Sequence, residues 1–155
     1  MDVMTIRLAT RPDDIAAVKS LFTDYLRFIE DYLGQSLSFQ GTEREFADFP
    51  HTYDALWLAE LNGKPVGAVG LKPFADQTAE LKRLWVSPDA RGHAFGQRLC
   101  KACIAGARAH RYTRLLLDTD RGLNHANAIY EALGFSDVPR YYDNPMDSRF
   151  MALDL

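Results

Sequence analysis

Apolar residues recur along this chain with two periods, and the switches between them mark out its elements. Ile15, Val18, Phe22, Tyr25, Leu26, Ile29 and Leu33 fall at helical spacing. They predict an amphipathic helix that opens at Pro12-Asp13-Asp14, where proline and acids suit a first turn, and stops at Gly34. A short strand precedes it at residues 5–8. Thr42 and Glu45 have the spacing of a capping box, which predicts a short second helix ending before Pro50. A β-rich block follows. Ala55–Leu61 reads as a strand, Asn62-Gly63-Lys64 as a hairpin turn and residues 66–71 as the returning strand. After a loop at 73–77, Thr78–Val86 is a third strand of this block. Residues 92–110 then read as a helix, with Phe95, Leu99, Cys103 and Ala107 on one face. Residues 115–117 are wholly apolar, as in a strand covered on both sides. Asn124 is placed to cap a last helix carrying Ile129, Tyr130 and Leu133, which Gly134 ends. Residues 150–155 close the chain as a strand. No repeat, low-complexity tract or linker interrupts the order, so residues 1–155 are expected to form a single α/β (α+β) domain.

The bulk numbers narrow the function classes. The chain has 155 residues, 47% hydrophobic and 25% charged, with a net charge of −3. That is an ordinary globular balance, and it argues against a dedicated nucleic-acid binder, which shows a basic excess. Positive charge is local, at Lys82, Arg83, Arg91 and Arg98. No apolar run approaches the roughly 20 residues that cross a bilayer. The opening Met1-Asp2-Val3-Met4-Thr5 has neither the basic nor the apolar region of a signal peptide. Cys100 and Cys103 share one helix, a poor geometry for a disulfide, so a reducing, cytoplasmic setting is expected. They lie inside the helix instead of at its start, which favours small buried side chains over a redox pair. His51, His93, His110 and His125 lack ligand spacing, and Asp118-Thr119-Asp120 reads as the end of a strand, so no metal is expected.

The densest signal is Arg91-Gly92-His93-Ala94-Phe95-Gly96, between a strand and a helix. A glycine-rich turn there leaves backbone N–H groups without intrahelical partners at the positive end of a helix dipole, which suits a phosphate. Alone, such a turn is equally a tight helix entry.

Together with what flanks it, the turn resembles the GNAT acetyltransferase superfamily. The family pattern Val-x-Pro-x-x-Arg-Gly-x-Gly-x-Gly appears as Val86-Ser87-Pro88-Asp89-Ala90-Arg91-Gly92-His93-Ala94-Phe95-Gly96. A second signature, Ala-x-x-x-Tyr-x-x-x-Gly-Phe, appears as Ala126, Tyr130, Gly134 and Phe135. The likeness covers about residues 80–136. Glu80-Leu81-Lys82-Arg83-Leu84, Leu117-Asp118-Thr119 and Tyr141-Tyr142-x-Asn144-Pro145 further resemble a bacterial group of mostly unassigned substrate. One departure is Ala94, where the family has the middle glycine. If that residue needs positive φ, alanine costs on the order of 1 kcal/mol. If it already lies in the first helical turn, alanine is harmless, and this is the expected case.

The resemblance implies a GNAT fold: a mixed, mostly antiparallel sheet of six to seven strands with about four helices, splayed between strands 4 and 5. It implies an acetyl-CoA-dependent N-acetyltransferase that moves an acetyl group to a small-molecule amine by direct attack in a ternary complex. Acetylation of a protein lysine or N-terminus, and a non-catalytic acyl-CoA-binding module, stay open as alternatives. Acetyl-CoA would lie along Leu84, Trp85 and Val86. Its diphosphate would meet Arg91, Gly92, His93, Ala94, Phe95, Gly96 and Gln97, with Asn124 and Tyr130 also on the cosubstrate. Glu80 is the candidate base, directly or through water, and Tyr130 the candidate acid for the leaving thiolate. The other readings of these two are a solvated strand residue and a core aromatic. Lys82, Arg83, Tyr141 and Tyr142 are the candidate substrate contacts, the two cations suiting an acceptor with a carboxylate. A homodimer is implied only by analogy with the family.

Overall fold

The computed structural model describes residues 1–34, 42–144 and 146–155, the side chains of residues 42–44 excepted. Strand β1 (Met4–Leu8) leads into α1 (Pro12–Leu33) and, later, α2 (Thr42–Ala47). Strands β2 (Ala55–Leu61), β3 (Lys64–Ala75) and β4 (Thr78–Val86) form a meander. Helix α3 (Phe95–Ala109), β5 (Arg114–Asp120), α4 (Asn124–Ala132), β6 (Ser136–Asp137) and β7 (Ser148–Asp154) complete the chain. The seven strands lie in the order β1-β2-β3-β4-β5-β7-β6. Every pairing is antiparallel except that of β4 with β5.

Each face of the sheet is covered by helices whose apolar stripe the sequence foretells. Val18, Leu21 and Phe22 of α1 pack on Leu56, Leu58, Ala68 and Trp85. On the other face, Phe95, Leu99, Cys103 and Ala107 of α3 meet Ala59, Val69, Leu71, Ala79, Leu81, Leu115 and Leu117. Alternate strand residues therefore supply opposite cores. Helix α3 comes close at Gly106, where a Cβ would sit 2.3 Å from the Trp57 ring. Helix α1 ends as expected, with Gly34 at φ 66 donating its N–H to the Glu30 carbonyl. Asn62 and Gly63 both take positive φ, the turn their dipeptide favours.

Two features of β4 shape the site. Its pairing with β5 covers only Thr78↔Arg114, Ala79↔Leu115 and Glu80↔Leu116, after which the strands part. Against β3, Lys82 pairs with Gly70 and Trp85 with Ala68, so β4 carries one extra residue. That bulge is at Arg83, at φ 61. It reverses the alternation: Ala79 and Leu81 join the α3 core, whereas Trp85 joins the α1 core.

Several expectations shift. Strand β3 runs on to Ala75, because its ladder with β4 continues past an irregularity near Pro73 and leaves only Asp76 and Gln77 to turn the chain. Helix α3 begins at Phe95, three residues later than expected. Asn124 is not a cap: Leu123 occupies that position and Asn124 is the first residue of α4. The first turn is fastened instead by Asn127, whose Nδ2 donates to the carbonyls of Asp120 and Arg121 at 3.1 and 3.3 Å. Strand β6 has two residues, too few to show a period. The Thr42 side chain of the expected capping box lies outside the described residues. Among the described residues, no helix is long and apolar enough to cross a membrane.

Candidate active site

Where β4 and β5 part, a cleft of about 520 Å³ opens. One wall is Leu84, Trp85 and Val86 of β4, and another is the start of α4 with Asn124, Ala126 and Ile129. The turn from Ala90 to Gln97 forms its mouth, and Tyr25, Phe28 and Ile29 of α1 cover it. The lining is mainly apolar, with polar side chains at the turn (Arg91, Gln97) and at the start of α4 (Asn124, His125).

That turn is built to expose amides. A 3₁₀ turn over Pro88–Ala90 is followed by Gly92 at φ 92 and Ala94 at φ 60, ψ 23. Ala94 is thus left-handed at the N-cap of α3 and not helical, contrary to the expectation above. The turn needs two positive-φ residues to enter the helix, and alanine holds one of them at a cost of about 1 kcal/mol. Among the described residues, no backbone carbonyl accepts from the N–H groups of residues 92–97. Six amides therefore stand at the positive end of α3 beside Arg91, whose guanidinium lies 5.9 Å from the Trp85 ring centre. His93 turns aside: its Nδ1 is 3.1 Å from the Ala90 carbonyl and its Nε2 is 3.5 Å from Asp2. His93 contributes its backbone amide to the row, and its ring is not part of the cleft lining. The donor row and cation fit a diphosphate, and the apolar walls with the unpaired part of β4 fit an amide-bearing chain such as that of acetyl-CoA.

At the apex of the opening, Glu80 occupies the last paired position of β4 and is buried. The Tyr141 hydroxyl donates to its Oε2 at 3.3 Å. Beside it, the Tyr142 hydroxyl donates to Asp118 Oδ2 at 2.7 Å, and Asn144 Nδ2 donates to Tyr142 Oη at 2.9 Å. Burial first, then the nearby carboxylates, push both phenols well above the usual tyrosine range. They are neutral donors at any physiological pH.

Arg83 is buried and paired. Its Nη2 donates to Glu45 Oε1 at 2.9 Å, while the Tyr53 hydroxyl donates to Glu45 Oε2 at 2.9 Å. Burial alone would raise the Glu45 carboxyl, but the charge and hydrogen bond of Arg83, aided by Tyr53, hold it below its ordinary value. Lys82, next along β4, is half-buried. Tyr130 packs edge-on against Phe135, with ring centres 5.9 Å apart, and burial raises its phenol far above the ordinary value. It stands behind the cleft wall, in the α3 core.

The structure thus brings Leu84, Trp85, Val86, Arg91, Gly92, Ala94, Phe95, Gly96, Gln97 and Asn124 to one cleft. It sets Glu80 where β4 and β5 part, with Tyr141 bonded to it and Tyr142 beside Tyr141, and Tyr130 behind the wall; none of these four lines the cleft. The sequence reading missed the Asp118–Tyr142 bond and the Glu45 partner of Arg83. Tyr25 was visible in the apolar stripe of α1, but helical spacing does not separate a core position from a cleft position. Among the described residues, no group of three or more His, Cys, Asp or Glu is placed to hold a metal.

Comparison with known proteins agrees with this geometry. The family described as Acetyltransferase (GNAT) family matches residues 15–135. An uncharacterized N-acetyltransferase of Schizosaccharomyces pombe is 30% identical over 149 residues, covering 92% of this chain and 89% of that protein. A probable N-acetyltransferase, camello, of Xenopus tropicalis is 37% identical over 81 residues, which span 51% of this chain but 37% of that protein. Among solved structures, an acetyltransferase from Streptococcus agalactiae superposes with a TM-score of 0.79 at 24% identity, covering 98% of both chains. The acetyltransferase yncA of Salmonella typhimurium, solved with its cofactor acetyl-CoA, superposes with a TM-score of 0.69 at 19% identity, covering 97% of this chain and 93% of that one. The likeness to both structures is one of fold.

Proposed function

The chain belongs to the acetyltransferase (GNAT) family, and on that premise we propose that this enzyme takes acetyl-CoA into the cleft between β4 and β5 and passes its acetyl group to the amine of a small molecule. The observation that carries the reading is the row of six unaccepted N–H groups at residues 92–97, at the mouth of a cleft of about 520 Å³. Those amides and Arg91 hold the diphosphate. The part of β4 that β5 leaves unpaired, at Leu84 to Val86, offers backbone groups to the amide chain of the arm. Asn124 is freed from capping and lines the same cleft, where it can bond the arm.

Bound acetyl-CoA supplies the activated acyl group, and the residues supply orientation and proton control. An alkylammonium of pKa about 10 must lose a proton to attack, which costs roughly 4 kcal/mol at pH 7. Glu80, at the apex and bonded by Tyr141, is the group placed to receive that proton through water. The backbone N–H near Leu84 or Trp85, beyond the bulge, is the donor for the developing oxyanion. Tyr130, packed behind the cleft wall in the α3 core, does not reach the leaving sulfur, so the thiolate takes its proton through water. Arg83 is engaged by Glu45, which leaves Lys82 as the cation for an acceptor's carboxylate. The bulk of Tyr141 and Tyr142 at the apex favours a small acceptor over a peptide. Free, buried Cys100 and Cys103 suit a reducing cytoplasm.

Incubation with acetyl-CoA and a library of amines, amino acids and peptides, read by mass spectrometry, tests this. An increase of one acetyl group on small amines is expected. Transfer only to peptides, or CoA binding with no transfer at all, would overturn the acceptor class or the activity, respectively.

A further inference from the structure

We propose that Tyr25 of α1 is a catalytic residue of this enzyme: its hydroxyl donates a hydrogen bond to the thioester carbonyl oxygen as that oxygen gains charge. The inference rests on the proposed acetyl transfer and extends it to a residue outside both family motifs.

Tyr25 lines the cleft from the face opposite α4. Its ring packs edge-on against Trp85, with centres 6.2 Å apart, which fixes it over the unpaired part of β4. Among the described residues, none hydrogen-bonds its hydroxyl. The residue is half-buried, with the cleft beside it. The hydroxyl senses Arg83 on β4 and both Asp118 and Asp120 on β5, the two strands that flank the opening. It also influences Tyr130 on the far side. Tyr25 is the phenol in the cleft wall, whereas Tyr130 stands behind it.

The charges around it fit a donor. Burial, first, and then Asp118 and Asp120 raise the phenol while Arg83 lowers it, leaving it at about 12. It stays protonated across the working range, so it can donate a hydrogen bond without surrendering the proton. As the amine nitrogen bonds to the carbonyl carbon, the C=O π pair moves to oxygen, and Tyr25 Oη–H stabilises it there. When the C=O re-forms, the C–S bond breaks, its electron pair leaves with sulfur, and the proton still held by the new amide nitrogen passes through water to the thiolate. Tyr25 ends as it began.

Tyr25→Phe removes one oxygen and keeps the ring contact with Trp85. Two measurements test it. S-carboxymethyl-CoA, whose carboxylate oxygen stands in for the charged oxygen, is titrated calorimetrically beside CoA itself. The expected result is a loss of about tenfold or more in affinity for the carboxymethyl compound, with CoA unchanged. Second, the steady-state rate of the wild type with its best amine is compared with that of the variant over pH 6 to 9. A kcat lowered by 10²- to 10³-fold, evenly across pH, with the acceptor KM unchanged, is expected of a lost oxyanion donor. Equal affinities for S-carboxymethyl-CoA, a kcat within threefold, or a change confined to KM would each overturn the assignment. Loss of CoA affinity itself would do so as well, since it would make Tyr25 a wall residue only. A wild type that binds CoA but transfers no acetyl group would end the proposed function and this role with it, whereas an active wild type with an equally active variant ends only the role.

Discussion

Replacing Glu45 by alanine tests how the β4 bulge is held. Arg83 adopts a left-handed conformation at the bulge, and the side chains of Arg83 and Glu45 are only 4% and 5% exposed. The carboxylate accepts from Arg83 Nη2 at 2.9 Å, from Arg83 Nε at 3.4 Å and from Tyr53 Oη at 2.9 Å. Alanine removes all three hydrogen bonds and leaves the cation inside. Breaking a buried pair from one side costs about 3–5 kcal/mol. For a domain of this size, each kcal/mol lowers Tm by roughly 2–4 °C, so Tm should fall by roughly 6–20 °C. The double variant Glu45→Met with Arg83→Met removes both charges and fills similar volume, and it should recover most of that loss. A pH series adds the sign. The folded pKa of Glu45 lies below its ordinary 4.5, so its stabilisation is complete above that value and fades as pH falls through the folded one. The stability gap between wild type and Glu45→Gln should therefore be flat from pH 5.5 to 8 and shrink below about pH 4.5. Chemical denaturation at each pH measures it. A loss under about 1 kcal/mol for Glu45→Ala, or a gap that widens in acid, would refute the reasoning.

Three further outcomes follow from the site. Ala94→Gly relieves a left-handed alanine, worth about 1 kcal/mol, against about 0.5–1 kcal/mol of added backbone entropy, so Tm should rise slightly or hold; a fall of several degrees in a thermal melt would contradict the observed turn. Lys82→Ala should raise KM for acceptors bearing a carboxylate by about tenfold while sparing neutral amines, as judged from paired steady-state assays; equal effects on both would remove the role. Glu80→Gln should lower kcat most at low pH, where more of the amine is protonated, with CoA affinity unchanged by calorimetry; an unchanged rate would mean that water alone takes the proton.

The parts of the fold governed by local chemistry could be read from the chain. The apolar stripe of α1, the Asn62-Gly63 turn and the Arg91–Gly96 segment each depend on neighbours within a few residues. What stayed hidden depends on distance. Arg83 pairs with Glu45 across 38 positions, and an arginine at positive φ carries none of the signal a glycine would. Without that bulge, strand alternation places Trp85 on the wrong face. Ala94 misled in the same way, since alanine is the best helix former and gives no warning of a left-handed turn. Asn124 looked like a cap because its residue type suits one, yet Asn127 makes the bonds that hold that helix start. Tyr25 was counted with the core because a cleft wall and a core share the same helical period.

The most direct test of the central claim compares CoA with pantetheine, which has the same arm and thiol but no phosphate. If the amides of residues 92–97 and Arg91 hold the diphosphate, calorimetry should give CoA a Kd at least about 100-fold lower, or about 2.7 kcal/mol. Equal affinities, or no heat with millimolar CoA, would contradict the account.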